Sequence, residues 1–246
     1  MLNECQVLGF TISTLSVSEI VKGALSGSGV KVLNTLNPHS YVEQKKDGKF
    51  RQALLSSDIL IADGVGIVYA AKILNDVRIS KIAGYDLFQE SMKQINSRAG
   101  RVFFLGSSTQ VLYKIEKRVQ SDFKNIEVKT LSPLFKNDFD EDDIESFSFA
   151  INDFRPDVVF VGLTAPKQEK LISDLRDRVV GPKYLAGVGA VFDFYAETVN
   201  RPSDLWIKLH LEWLARFISE PKRLWRRVFL STPIFIADLL LLKFKG

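Results

Sequence analysis

Along most of this chain, short runs of β-branched and large apolar residues alternate with stretches of helical periodicity. Val30–Leu36, Asp58–Ala62, Arg101–Leu105, Ile126–Leu131, Asp157–Gly162 and Lys183–Val188 read as strands. Helices are expected from Ser40 to Ser57, from a glycine turn to about Leu74, from Thr109 through Val119, and over Asp142–Phe154 and Lys167–Val179. Val7–Ile12 reads as a small leading strand and Val17–Leu25 as a helix. Strand and helix alternating at this spacing predict an α/β fold, a Rossmann-like, mostly parallel sheet with helices on both faces. No internal repeat or low-complexity linker interrupts the pattern.

From residue 201 the pattern changes, which divides the chain into an α/β catalytic domain (1–200) and a basic amphipathic helical appendage (201–246). Trp206 to Ile218 carries a helical apolar face, with His210 inside it as a structural residue. After Pro221, Leu224, Trp225, Val228 and Phe229 fall on one side of a helix, and Lys222, Arg223, Arg226 and Arg227 on the other. The tail holds nine Lys or Arg against four acids, so it carries +5 and leaves −1 for the rest of a +4 chain. That asymmetry suits an anionic membrane surface for the tail and no nucleic acid. The longest apolar run, Ile234 to Leu242, is interrupted by Asp238 and falls well short of the roughly 20 residues a spanning helix needs. A single cysteine, Cys5, cannot form an internal disulfide, and Met1–Cys5 has neither the basic nor the apolar region of a secretion signal. A reducing compartment is expected.

Ligands of open parallel sheets bind beyond the carboxyl ends of the strands. Five such ends here carry polar groups: Thr35, Asn37 and His39 after the first core strand, Asp63-Gly64 after the second, Gly106-Ser107-Ser108 after the third, Lys167-Gln168-Glu169 after the fifth and Gly189–Asp193 after the sixth. Taken alone, each has two readings. Asp63 is a proton acceptor or a helix cap. Thr35 and Asn37, side chains on one side of a strand end, grip a ligand or form a turn before Pro38. Gln168 meets a ligand at a helix start or is a polar surface residue. Gly106–Ser108 reads better as an N-cap than a phosphate cradle, and His39 as a scaffold residue. Asp138-Phe139-Asp140 opens an acidic run that reads as a solvated helix start, so no metal site is assigned.

Seven motifs, in order, then carry a resemblance: Thr35-x-Asn37, Ala62-Asp63-Gly64-x-Gly66, Ala83-Gly84-x-Asp86-Leu87, Pro166-Lys167-Gln168-Glu169, Gly187-Val-Gly189-x-x-Phe192-Asp193, Arg201-Pro202, and Glu212-Trp213-x-x-Arg216 with Glu220-Pro221-x-Arg223-x-x-Arg226. From about Leu8 to Phe229 the chain resembles the WecG/TagA/CpsF glycosyltransferases (glycosyltransferase family 26) of cell-surface polysaccharide and teichoic acid synthesis. The resemblance implies an inverting, metal-independent and cofactor-free transfer from a UDP-sugar to a polyprenyl-diphosphate-linked sugar. N-acetylmannosamine is the favoured hexose, and the setting is cytoplasmic, peripheral on the inner face of the plasma membrane. It assigns Asp63 as general base and Thr35, Asn37 and Gln168 as substrate-binding residues. Arg216, Arg223 and Arg226 neutralise the departing diphosphate, with anionic headgroups as their competing partners. Lys81 stands where the family usually has arginine and keeps the charge without the fork, leaving Lys81 or Arg78 as the cation there. A tail that closes over the site only at a bilayer would couple catalysis to the membrane. A homo-oligomer stays open. Two alternatives remain: a Rossmann-type oxidoreductase, although Gly64–Tyr69 and Gly187–Phe192 both miss the third glycine of the dinucleotide fingerprint, and a non-enzymatic peripheral membrane scaffold.

Overall fold

The computed structural model describes residues 3–209 and 211–245, so His210, Met1 and Leu2 lie outside the described residues. A hairpin, β1 (Glu4–Val7) and β2 (Phe10–Ser13), leads into α1 (Val17–Ser26). β3 (Lys31–Leu36) is followed by α2 (Pro38–Glu43) and α3 (Gly48–Leu55), and β4 (Ile59–Ala62) by α4 (Val65–Asn75) and α5 (Gly84–Asn96). Then come β5 (Arg101–Gly106), α6 (Thr109–Asp122), β6 (Glu127–Leu131), α7 (Glu141–Phe154), β7 (Val158–Gly162), α8 (Lys167–Arg176), β8 (Tyr184–Gly187) and α9 (Val191–Tyr195). The tail holds α10 (Asp204–Lys208), α11 (Glu212–Ser219), α12 (Pro221–Arg226), a π-helical turn over Arg227–Ser231, and α13 (Thr232–Lys245).

All six predicted strands pair in parallel, in the order β4-β3-β8-β7-β5-β6. Covered on both faces, five of them bury most of their side chains, whereas the edge strand β6 has none fully buried. Leu33, Ile61, Phe104, Phe160 and Ala186 join the core under α1, α5, α6 and α9, while their neighbours Val32, Phe103, Val159, Val161 and Leu185 pack under α7 and α8. A third cluster joins the hairpin, α2, α3 and α4 to the end of the sheet.

Four local expectations need correction. Val7–Ile12 is a two-stranded hairpin, because Leu8 and Gly9 both turn at positive φ (55° and 81°). The helix expected over Ser40–Ser57 divides at Lys45–Asp47, where Asp47 accepts from the Phe50 amide at 3.0 Å and caps a new helix. Helix α5 is an element the strand-counting reading left out; its buried Leu87, Phe88, Ser91, Met92 and Ile95 follow a helical period. In the tail, the helix expected over Trp206–Ile218 is two short helices, and the π-turn ends the basic helix at Arg226.

The tail is anchored at its far end. Phe235 and Leu239 of α13 are buried in the third cluster, Phe235 meets Tyr41 edge-on at 5.6 Å, and Asp238 pairs with Lys45. No helix among the described residues is long and apolar enough to cross a membrane. Phe235→Ala removes a buried aromatic worth about 3–5 kcal/mol in a typical core. Faster amide exchange over residues 232–245, with the strands still protected, is the expected result.

Candidate active site

The carboxyl ends of β4, β3, β8 and β7, four neighbours in the sheet, open into one cleft. Its floor and walls hold Thr35, Asn37, Asp63, Gln168 and the Val188–Val191 loop. The tail supplies Glu212, Arg216, Arg223 and Arg227 from above. The loops bearing Thr35, Asp63 and Gln168 therefore meet at one mouth. The fifth loop does not join them: Gly106–Ser108 is not among the lining residues, and Ser108 accepts from the Val111 amide at 3.3 Å as an ordinary N-cap. As closed, the cleft encloses about 120 Å³.

Backbone constraints place Asp63. Its amide bonds to the Leu36 carbonyl at 2.9 Å, Gly64 follows with φ of 100°, and a Cβ on Gly66 would lie 2.5 Å from the Pro38 ring. The helix that follows is capped by no side chain, so the capping reading of Asp63 fails. Burial pushes the Asp63 carboxyl up to about 6. Glu212 pushes the same way, while Lys81, Arg216 and Arg227 pull it down.

Asn37 does two jobs: its Oδ1 caps α2 by accepting from the Ser40 amide at 3.0 Å, and the residue lines the cleft beside Thr35. Gln168 is buried. Its Oε1 accepts from the Gly189 amide at 2.8 Å and its Nε2 donates to Glu169 at 3.2 Å, so the side chain ties the loops after β7 and β8 together. A Cβ at Gly187 would fall 2.4 Å from that amide nitrogen, which is why the strand ends in glycine.

The cations divide into paired and unpaired. Lys81 lies 2.6 Å from Glu212, both largely buried, and Arg223 lies 3.0 Å from Glu220. Arg216 has a buried Nε without a hydrogen-bond partner. Arg78 and Arg226 are exposed and outside the cleft, Arg226 lying 5.5 Å from the Trp225 ring. Arg227, expected on the outer basic face, lines the cleft instead. Of the four residues expected on the apolar side of that helix, Leu224 is buried while Trp225 and Phe229 are exposed. His39 is a scaffold residue, its Nδ1 2.8 Å from the Ser231 hydroxyl.

Sequence reasoning assigned no role to Glu169, Glu212 or Arg227. Glu169 is buried, pushed up to about 7 by desolvation, with Oε2 unpartnered. Its signal is helical: position 169 sits one turn before buried Ile172. Among the described residues, no group of three or more His, Cys, Asp or Glu side chains could hold a metal ion.

A raised carboxyl facing a cluster of guanidiniums across a strand-end cleft is an arrangement suited to transfer chemistry with an anionic leaving group. Residues 5–246 match the model of the glycosyl transferase WecG/TagA/CpsF family, and the chain belongs to that family. It is a glycosyltransferase, which sets aside the oxidoreductase and scaffold alternatives. It is 34% identical over 207 residues (84% of this chain, 77% of the relative) to an N-acetylglucosaminyldiphosphoundecaprenol N-acetyl-beta-D-mannosaminyltransferase of Bacillus spizizenii. An enzyme of the same name from Bacillus subtilis is 33% identical over 210 residues (85% and 78%).

Gly187→Ala tests the loop tie. The methyl must displace the Gln168 amide, and a loss of about 1–3 kcal/mol in urea denaturation is expected. Conversion of Gln168 to Ala in the same background should recover part of it.

Proposed function

We propose that this chain moves an N-acetylmannosamine-type hexose from a UDP-sugar onto a polyprenyl-diphosphate-linked N-acetylglucosamine, with inversion and without a metal ion. The observation that carries the reading is the placement of Asp63, on the cleft floor and under the electrostatic influence of Arg216 and Arg227. The names of the two relatives, N-acetyl-beta-D-mannosaminyltransferases acting on N-acetylglucosaminyldiphosphoundecaprenol, support the acceptor and the sugar.

The chemistry follows from those positions. Ionised Asp63 takes the proton of the acceptor hydroxyl while that oxygen bonds to the anomeric carbon from the face opposite the donor diphosphate. The bond from the anomeric carbon to the diphosphate oxygen breaks, and its electron pair stays on the leaving nucleoside diphosphate. Arg216 and Arg223 stabilise that charge as it forms. Thr35 and Asn37 hold sugar hydroxyls. Gln168 shapes the donor wall through the Gly189 backbone that it holds. Lys81, engaged by Glu212, acts on Asp63 through its charge.

Residues 201–246 serve as a lid and membrane contact. Trp213, Trp225 and Phe229 are exposed beside Lys222 and Arg226, a composition suited to an anionic bilayer interface, where Arg226 meets headgroups. The cleft holds about 120 Å³, against roughly 300–1,000 Å³ for typical ligand sites, and outward movement of the tail would enlarge it for a donor. A peripheral position on a membrane holding the lipid acceptor places that motion where it is useful.

With a short-chain polyprenyl-diphosphate N-acetylglucosamine acceptor, Asp63→Asn is expected to lower kcat by about 10²- to 10⁴-fold with little change in UDP-sugar affinity. Because only the ionised carboxyl accepts a proton, wild-type kcat/KM should fall about tenfold per pH unit below about 6 and level off above it. Turnover should persist in EDTA. Equal loss of donor binding and transfer in Asp63→Asn would remove Asp63 from the base role. Trp225→Glu with Phe229→Glu is expected to reduce cosedimentation with phosphatidylglycerol vesicles several-fold.

A further inference from the structure

Arg226 and Arg227 are neighbours in sequence but part company in space. Arg226 is exposed, while Arg227 is drawn into the cleft. Successive residues of a helix point about 100° apart, which separates the two, and the segment that follows is held in place. From Arg227 to Ser231 it forms a π-helical turn, and the Arg227 carbonyl accepts from both the amide and the hydroxyl of Thr232, the latter at 2.9 Å. At the far end of the turn, the buried Ser231 is pinned to α2 by its 2.8 Å hydrogen bond with His39. The turn is held at both ends.

What surrounds the Arg227 guanidinium points to an anion. Lys81 and Arg223 have carboxylate partners, but among the described residues Arg227 has none within 4.0 Å. Asp63 and Glu169, on different loops, both feel its charge, as does His39. Burial and the repulsion of Arg216 and Arg223 weaken the hold of Arg227 on its own proton. Burial and that same guanidinium hold His39 down at about 4, so no further positive charge is added at neutral pH. Three like charges gathered round one cleft favour a ligand with several negative oxygens, and paired phosphate oxygens match a guanidinium fork.

We propose that Arg227 is the guanidinium that grips the donor's diphosphate alongside Arg216, and that Arg226 takes no part in that grip. This rests on the reading of the cleft as a nucleotide-sugar site. The π-turn that follows, pinned at Ser231, helps hold Arg227 where it lines the cleft.

Calorimetric titration of the full chain on saturating phosphatidylglycerol vesicles, with UDP and with UMP, tests it. Wild type should bind UDP more tightly than UMP. Arg227→Ala should weaken UDP by about tenfold or more and erase most of the preference over UMP. Arg227→Lys should recover part of the UDP affinity, and Arg226→Ala should stay within about twofold of wild type for both ligands. Circular dichroism melts check folding; if Arg227→Ala melts early, Arg227→Gln carries the comparison. A folded Arg227 variant with wild-type UDP affinity, or loss of the preference in Arg226→Ala, overturns the assignment of Arg227 alone. Wild-type protein indifferent to UDP overturns the donor reading and this inference with it.

Discussion

Arg216 and Arg227 bring positive charge into a confined cleft, and among the described residues neither has a carboxylate within ion-pair distance. Such charge is costly to desolvate and does not hold the tail in place by itself. The holding contacts are elsewhere: the apolar burial of Phe235 and Leu239, the Lys45–Asp238 pair and the His39–Ser231 bond. Apolar packing thus fixes the position of groups that would otherwise repel one another. The carboxyls below respond to the same confinement, Asp63 and Glu169 both shifting toward their neutral forms.

The sheet supplies the geometry on which this electrostatic arrangement rests. Four adjacent strand ends bring Thr35, Asp63, Gln168 and Gly189 together although they are far apart in sequence. Small residues make the junctions possible. Gly66 lets the Asp63 turn lie against Pro38, and Gly187 leaves room for the Gln168 amide that joins two loops. Asp63 is therefore positioned by backbone contacts.

Much of this was legible in the residues because it follows from periodicity. Most of the sheet strands are continuous apolar runs, and the rule that ligands gather at carboxyl ends singled out Thr35, Asn37, Asp63 and Gln168, which line one cleft. What escaped depends on single backbone angles or on long-range packing. Two positive φ values turn Val7–Ile12 into a hairpin, and α5 lies between motifs that drew attention to themselves. Arg226 and Arg227 are helical neighbours about 100° apart, so only the packing of the tail on the body decides which of them lines the cleft, and no composition or hydropathy pattern encodes that choice.

The order in which the sheet is assembled differs from the order in which it is synthesised. β8, the last strand to leave the ribosome, inserts between β3 and β7 and pairs with both. Without it, β4-β3 and β7-β5-β6 share no ladder, and each group of neighbours keeps an unpaired parallel edge. A chain that stops before Tyr184 lacks the strand that joins the two halves, and with it the Val188–Val191 wall of the cleft.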